Sequence, residues 1–463
     1  MRSLLAGLAL GLVLLGSGCV SRDAGIGLAR SEVRSRTGME MASGETDGDS
    51  ENDALVGKLL AKPLTADSAA RIALLNNAEI QAALADVGIA RGNLISALRM
   101  PNPKVGFGAN FYDDETRLDI EATIELLDLF LIPARQNVAD AALEASALNA
   151  AGRALDVVFE AKTAFFDWQA ASQSLELRKT VLYAAAQSSE IAGRLLEAGN
   201  VPPLDALAQQ AIYEEARLAV ARAELEQTRA RERLNTALGL HGKTGAAWKA
   251  AAELPEPTEF DDKGLEARAV EASLELRVQE KRHASAASRA DLAWTQGVAP
   301  ELEAGVSAER EEGSWGIGPR VAVSVPLFYQ GQGEVAAAEA EMRGAESRHR
   351  AAATTARATA RVVSGRLRVS KESAAFFKST LLPLRDRILD QTLRTYNAMD
   401  TGPIQLLTAK RDQIETMTAY VDTLRDYWIA RTEAELLLAG RTPAVSASRG
   451  SGGAPRAAAS DAH

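Results

Sequence analysis

Few residues of this chain are placed to do covalent chemistry. The four histidines, His241, His283, His349 and His463, are scattered and lack the short spacing of a zinc or other metal site. Gly331-Gln-Gly333 has the first half of a dinucleotide-binding loop, but the third glycine is missing and no parallel-sheet pattern surrounds it. A turn from strand to helix accounts for it. The acidic runs Asp113-Asp114-Glu115 and Glu309–Glu312 fall where hairpin tips are expected, so solvated loops are the default reading and calcium the alternative. No serine is paired with a base. The expectation is a protein without catalysis, cofactor or metal, drawing any energy it uses from a partner.

The single cysteine, Cys19, excludes an intrachain disulfide. It follows Arg2, the apolar run Leu4–Leu15 and the small residues Gly16, Ser17 and Gly18, so residues 1–18 read as a secretory signal. The run is too short to be retained as a spanning helix. A cysteine directly after such a run resembles a bacterial lipoprotein signal, in which the thiol is diacylated and becomes the first mature residue. The usual motif prefers an aliphatic residue three places before the cysteine, and here that place holds Gly16. Ordinary cleavage leaving a free thiol is the alternative. Acyl chains contribute about 0.8 kcal/mol per buried methylene, so a diacylated end would hold firmly to lipid.

The elements around these residues follow from composition and period. The chain of 463 residues carries a net charge of -10, with 46% hydrophobic but only 5% aromatic residues. Much of the apolar share is alanine, which favours long, closely packed helices. The acidic balance excludes a nucleic-acid partner, whose phosphates require a basic stripe. Residues 19–62 are polar and read as an extended segment; residues 441–463 read as a disordered tail.

Between them the sequence repeats. Ala198–Leu207 (AGNVPPLDAL) and Ala398–Leu407 (AMDTGPIQLL) stand 200 residues apart, with Pro203 over Pro403 and Leu207 over Leu407. Leu129-Phe130 matches Leu327-Phe328, and Asn77–Ile80 matches Ser273–Leu276. The period is far too long for a solenoid, so two modules, residues 63–240 and 265–440, flank a linker over 241–264.

Each module reads as helix, two strands, very long helix, turn and second long helix. Leu64–Leu98 is helical, with Thr65 and Asp67 as candidate caps, and Pro101-Asn-Pro103 ends it. In the strand pattern that follows, Leu118, Ile120, Ala122, Ile124 and Leu126 alternate with Arg117, Asp119, Glu121, Thr123 and Glu125. Leu302, Ala304, Val306 and Ala308 alternate likewise with Glu301, Glu303, Gly305 and Ser307. From Pro133 to Ala198 no proline interrupts a helix of about 100 Å at ~1.5 Å per residue. The second module is expected to do the same from Glu334 to Met399.

Four strands, each with an apolar and a polar face, suit a membrane barrel with Glu121, Glu125, Glu301 and Glu303 toward water. Spanning barrels need about eight strands or more and tolerate no open edge in lipid. One chain supplies four, so closure requires several copies, two or three by geometry alone.

The order of elements, the phrase LTADSAARIALLNNAEIQAAL with PNP before the first strand, and VPLFYQGQGE before the second long helix resemble the TolC-type outer-membrane efflux protein family. The resemblance covers residues 64–440. It implies a mainly α fold with a membrane β-barrel: a homotrimer with a barrel of twelve strands and a periplasmic tunnel of twelve helices. It also implies a periplasmic adaptor protein and an inner-membrane pump as partners. The lipoprotein signal and compact length favour a pump of the resistance-nodulation type. Under this resemblance the two helical hairpin tips form the closed periplasmic end that meets the adaptor. Those tips hold Gly199, Asn200, Pro203, Leu204 and Leu207, and Asp400, Gly402, Pro403 and Leu407. Some relatives carry two aspartates as acidic rings in the second tip, where this chain has Gln405 and Thr408; Asp205 occupies the first-tip counterpart. As plain structure, Asp205 reads as a helix cap after Pro202-Pro203. Ser31–Gly38 resembles relatives that export heavy-metal cations, with drugs as the alternative cargo. A protein-secretion duct and a pore-less coiled-coil spacer are the competing functions, and the alternating strands speak against the spacer.

Overall fold

The computed structural model describes residues 20–21, 23–42, 49–111, 116–299, 301–311 and 314–443. Cys19 and the signal segment therefore lie outside the described residues, as does the tail beyond residue 443.

Residues 20–62, expected to be extended, instead hold two helices, α1 (Ile26–Thr37) and α2 (Asp49–Leu60). The polar composition concealed a short apolar stripe. Ala29 and Val33, one turn apart, are buried as α1 packs against the long helix of the first module. Gly38 ends α1 in the left-handed region.

The expected helix over 64–98 is two helices, α3 (Ala66–Asn76) and α4 (Ala78–Ala97). Thr65 caps α3 in a reciprocal arrangement: its hydroxyl accepts from the Ser68 amide and Ser68 Oγ accepts from the Thr65 amide. Asp67 stands in the first turn and is not the cap. The break is at Asn77, whose Oδ1 accepts from the Glu79 amide and starts α4. Its Nδ2 reaches the Ala237 carbonyl 160 residues away.

Then come β1 (Lys104–Phe111), β2 (Thr116–Glu125), a short α5 (Leu126–Phe130), α6 (Ile132–Glu197) and α7 (Pro203–Leu238). After α8 (Gly242–Ala247) the second module repeats the order: α9 (Leu265–Ala272), α10 (Leu274–Val298), β3 (Glu301–Glu311), β4 (Ser314–Ser324), α11 (Gln332–Phe376), α12 (Leu382–Asn397) and α13 (Pro403–Leu438). The strands form one antiparallel sheet in the order β1-β2-β3-β4, so the two hairpins join through β2 and β3.

The first long helix is unbroken over 66 residues. Its counterpart is not, which corrects the expectation of one helix from Glu334 to Met399. Pro383 has no N–H to give to the carbonyl one turn back. The backbone widens into a π turn over Phe377–Leu381, and the Leu382 amide bonds back to Phe377 O.

The core is built largely on α6, which contacts α1, α3, α4, α7, α10 and α13. Its buried positions include Ala147, Ala151, Ala154 and Ala161, and such small side chains let helix backbones approach closely. The linker crosses this layer. Trp248 packs edge-on against Trp168, donates to Asn235 Oδ1 at 2.8 Å, and lies under the Arg231 guanidinium. Farther on, Pro255 O accepts from Trp428 Nε1. Among the described residues no helix is long and apolar enough to cross a membrane.

Candidate functional site: the sheet and the helical tips

Directly paired residues in an antiparallel sheet point to the same side, so the strand register assigns each face. One side carries Val105, Phe107 and Phe111 of β1, Ile120 and Ile124 of β2, Val306 of β3 and Trp315, Ile317, Val321 and Val323 of β4. Among the described residues nothing covers this side: Phe107 is 78%, Phe111 79% and Ile317 79% exposed. Apart from Arg310 at one end, which pairs with Leu118 and Trp315, this is a bare apolar face of the kind that meets another apolar phase.

The opposite side is polar. Glu121 opposes Ser307, Thr123 opposes Gly305 and Glu125 opposes Glu303. The facing pair Glu125 and Glu303 is bridged by Lys104, whose Nζ lies 2.5 Å from the first and 2.8 Å from the second. Arg320 bonds Glu121 at 2.6 Å across β3. Sequence reasoning had the carboxylates of this face but not the ion pairs that two cations make with them. Their signal is parity: once Lys104 is paired with Thr123 and Arg320 with Gly305, both must project to the carboxylate side. Gly305 is required there, because a side chain on it would run into the backbone carbonyl of Ala122.

Residues 69–240 match the model of the outer membrane efflux protein family. Over those residues the chain is similar to that family. It is 24% identical over 395 residues to the cobalt-zinc-cadmium resistance protein CzcC of Cupriavidus metallidurans, covering 82% of this chain and 90% of that relative. Solved structures share the fold. The CmeC outer membrane channel of Campylobacter jejuni superposes with a TM-score of 0.71 at 15% identity, over 81% of this chain and 86% of that one. A membrane protein of Pseudomonas aeruginosa gives 0.70 at 18% identity, over 81% and 93%. The open-state MtrE channel of Neisseria gonorrhoeae gives 0.64 at 15% identity, over 82% and 91%.

The two helical tips are built alike. Gly199 (φ 74°) and Met399 (φ 64°) both take the left-handed conformation. The next amides, of Asn200 and Asp400, bond back to Leu195 O and Thr395 O at 2.8 and 3.0 Å. Proline then opens each returning helix, Pro203 in α7 and Pro403 in α13, with Pro202 and Gly402 at the cap positions. Neither cap residue makes a side-chain bond.

Asp205 does not cap α7. It sits two residues after Pro203, exposed, in the first turn of the helix. The reason is the proline pair: Pro202 takes the cap position, and the Asp205 amide bonds to Pro202 O. Gln405 is exposed beside Gly402, and the Thr408 hydroxyl donates to Ile404 O at 2.9 Å. Leu204 and Leu207 are largely exposed, and Met399 is 93% exposed. Leu407 and Thr408 instead line a groove of about 240 Å³ with Val181 and Ile212, so the second tip leans on the helices of the first module.

Below the tips, polar bonds tie each hairpin internally. Ser188 Oγ donates to the buried Gln209, and Arg385 bonds Asp412 at 3.0 Å. Among the described residues no cluster of His, Cys, Asp and Glu could hold a metal ion.

Proposed function

We propose that this chain is the outer-membrane exit duct of a tripartite efflux system, three copies together closing one barrel of twelve strands. One observation carries the reading. The sheet has four strands, a bare apolar face, and two open edges at β1 and β4. In lipid every backbone amide and carbonyl needs a partner, so those edges must pair, β4 of one copy with β1 of the next. Two copies would give about eight strands and three about twelve. The trimer that the resemblance to the TolC-type family implies favours three.

In this arrangement the carboxylates and cations of the polar face line water, and the long helices continue the tube through the periplasm. Residues 1–18 are the signal, Cys19 carries the lipid anchor, and residues 19–62 link it to the modules at 63–240 and 265–440. The linker over 241–264 girdles the helices, and 441–463 is a tail. The tips at Gly199–Leu207 and Met399–Leu407 face a periplasmic adaptor and, through it, an inner-membrane pump of the resistance-nodulation type. Asp205, three times repeated, offers a ring of carboxylates at the narrow end. The duct is passive. Resemblance to a cobalt-zinc-cadmium resistance protein supports divalent metal cations as cargo over drugs.

Purified protein tested in a planar bilayer should conduct, and light scattering should give a mass of three chains of 49.1 kDa. A water-soluble monomer without conductance would refute the assembly. A deletion strain challenged with cobalt, zinc and cadmium, beside dyes and antibiotics, decides the cargo.

A further inference from the structure

Two arginines, Arg282 and Arg348, stand at one level of the α10–α11 pair, and neither has a carboxylate partner among the described residues. These helices are antiparallel, with Arg289 of α10 bonded to Glu341 of α11 at 2.6 Å. Stepping from Arg289 to Arg282, and from Glu341 to Arg348, moves about two turns along each helix in opposite chain directions. At that level both partners are arginine. Among the described residues neither Arg282 nor Arg348 has a hydrogen-bond or ion-pair partner.

Both line one concave groove of about 980 Å³, formed by α4, α6, α10 and α11. The other arginines of the groove are neutralised. Arg153 lies 3.5 Å from Glu79 and 3.1 Å from Glu160, and Arg289 holds Glu341. The remaining carboxylate, Asp86, stands on α4, with α6 between it and α10. Alanines, among them Ala145, Ala286 and Ala345, make the floor, so nothing bulky shields the guanidinium groups. α1 packs against α6 and α4, and none of its residues lines the groove.

A guanidinium does not lose its proton in a protein, so this repulsion cannot be relieved by titration. It is relieved by an anion. The planar fork of arginine fits carboxylate and phosphate oxygens in pairs, and two forks at one level can grip a single oxyanion from both sides. We propose that this groove binds small oxyanions, carboxylates or phosphates, between Arg282 and Arg348. The proposal rests on the duct reading for its biological meaning. With the concave faces turned inward, three such sites ring the tunnel wall, and cations leave accompanied by anions or as their anionic chelates.

The test is calorimetric titration of citrate, and separately of inorganic phosphate, into detergent-solubilised full-length protein at low ionic strength. Arg282→Gln and Arg348→Gln should each weaken binding by about tenfold or more, since each removes a charge-assisted contact, and the double variant should abolish it. Arg343→Gln, which removes a pair with Glu339 on the same helix but outside the groove, should bind as the parent does. Circular dichroism confirms that each variant is folded. Binding of citrate but not phosphate would assign the site to carboxylates; binding of both would assign it to oxyanions in general. No saturable binding by the parent, or equal binding by the double variant, overturns the proposal. In bilayers the double variant should also shift the reversal potential toward cation selectivity. A protein that binds citrate yet conducts nothing would remove the duct reading and leave the site; one that conducts without binding would do the reverse.

Discussion

Replacing Gly239 by alanine tests how each module is closed. Gly239 ends α7 with φ of 67°, in the left-handed region. There the end of α7 docks onto the break between α3 and α4. Asn76 Nδ2 donates to Leu238 O at 3.0 Å and to Gly239 O at 2.8 Å, and Asn77 Nδ2 donates to Ala237 O at 2.9 Å. These bonds satisfy carbonyls that a helix end leaves without partners. A methyl group on Gly239 would stand 2.5 Å from the backbone carbonyl of Asn76 and 3.0 Å from its Nδ2. Ordinary carbon contacts begin about 1 Å farther out, so α7 must draw back.

Two effects then add. An alanine held in the left-handed region costs about 1–2 kcal/mol. Loosening three hydrogen bonds adds up to about 1 kcal/mol each. The expected loss is above the ~1–2 kcal/mol of backbone strain alone and up to about 4–5 kcal/mol. Gly199→Ala supplies the comparison, because Gly199 has φ of 74° but open space around it, and only the first effect operates. Urea unfolding of the solubilised protein, followed by circular dichroism, measures both variants against the parent. If the two lose stability equally, within about 0.5 kcal/mol, the docking contact contributes nothing and the account of module closure is wrong. The second module makes the same closure with different chemistry. Gly440 packs on Ala272 O, and Arg36 of α1 donates to Ala272 O and Ala439 O at 2.8 Å.

Met399→Gly should raise stability by about 0.5–1 kcal/mol, because relief of left-handed strain exceeds the added freedom of the unfolded chain; a loss in the same urea assay would refute this. Asp205→Asn should change stability by less than about 1 kcal/mol, since the side chain caps nothing and only meets the helix dipole. The same variant should reduce cation selectivity in bilayers, and unchanged selectivity would remove the proposed carboxylate ring. Burial holds the Glu433 carboxyl above its ordinary value although Arg366 bonds both its oxygens at 2.9 and 2.7 Å. The folded state thus binds this proton more tightly than the unfolded chain does. Its contribution is full below the unfolded value and is lost as pH rises through the raised folded value. Glu433→Gln should therefore flatten the fall of stability across that window, and an identical pH profile for parent and variant would refute the assignment.

Local periodicity made much of this architecture legible. The alternation Leu118/Asp119/Ile120/Glu121 sets strand and faces together, because side chains of a strand alternate sides whatever it pairs with. The matched tips at 198–207 and 398–407 likewise fold alike, since their turn bonds are local. Asn77 reads as one more helical residue until Ala237 is seen to accept from it. The Ala29–Val33 stripe is too short to predict a packed helix before α6 is there to receive it. Pro383 was visible in the sequence, but whether a proline ends a helix or is absorbed by a π turn depends on the packing around it.

The sequence by itself determined the duplicated plan, the long helices and the two-faced strands, because each follows from spacing within one segment. Tertiary structure alone decided that β2 joins β3, that Lys104 bridges Glu125 and Glu303, and that Arg282 and Arg348 line one groove. The physical reason is the same in each case. A pattern of residue types tells a segment which face to bury or expose, but hydrogen bonds and charge pairs act over a few ångströms, and only folding decides which distant residues come within that reach.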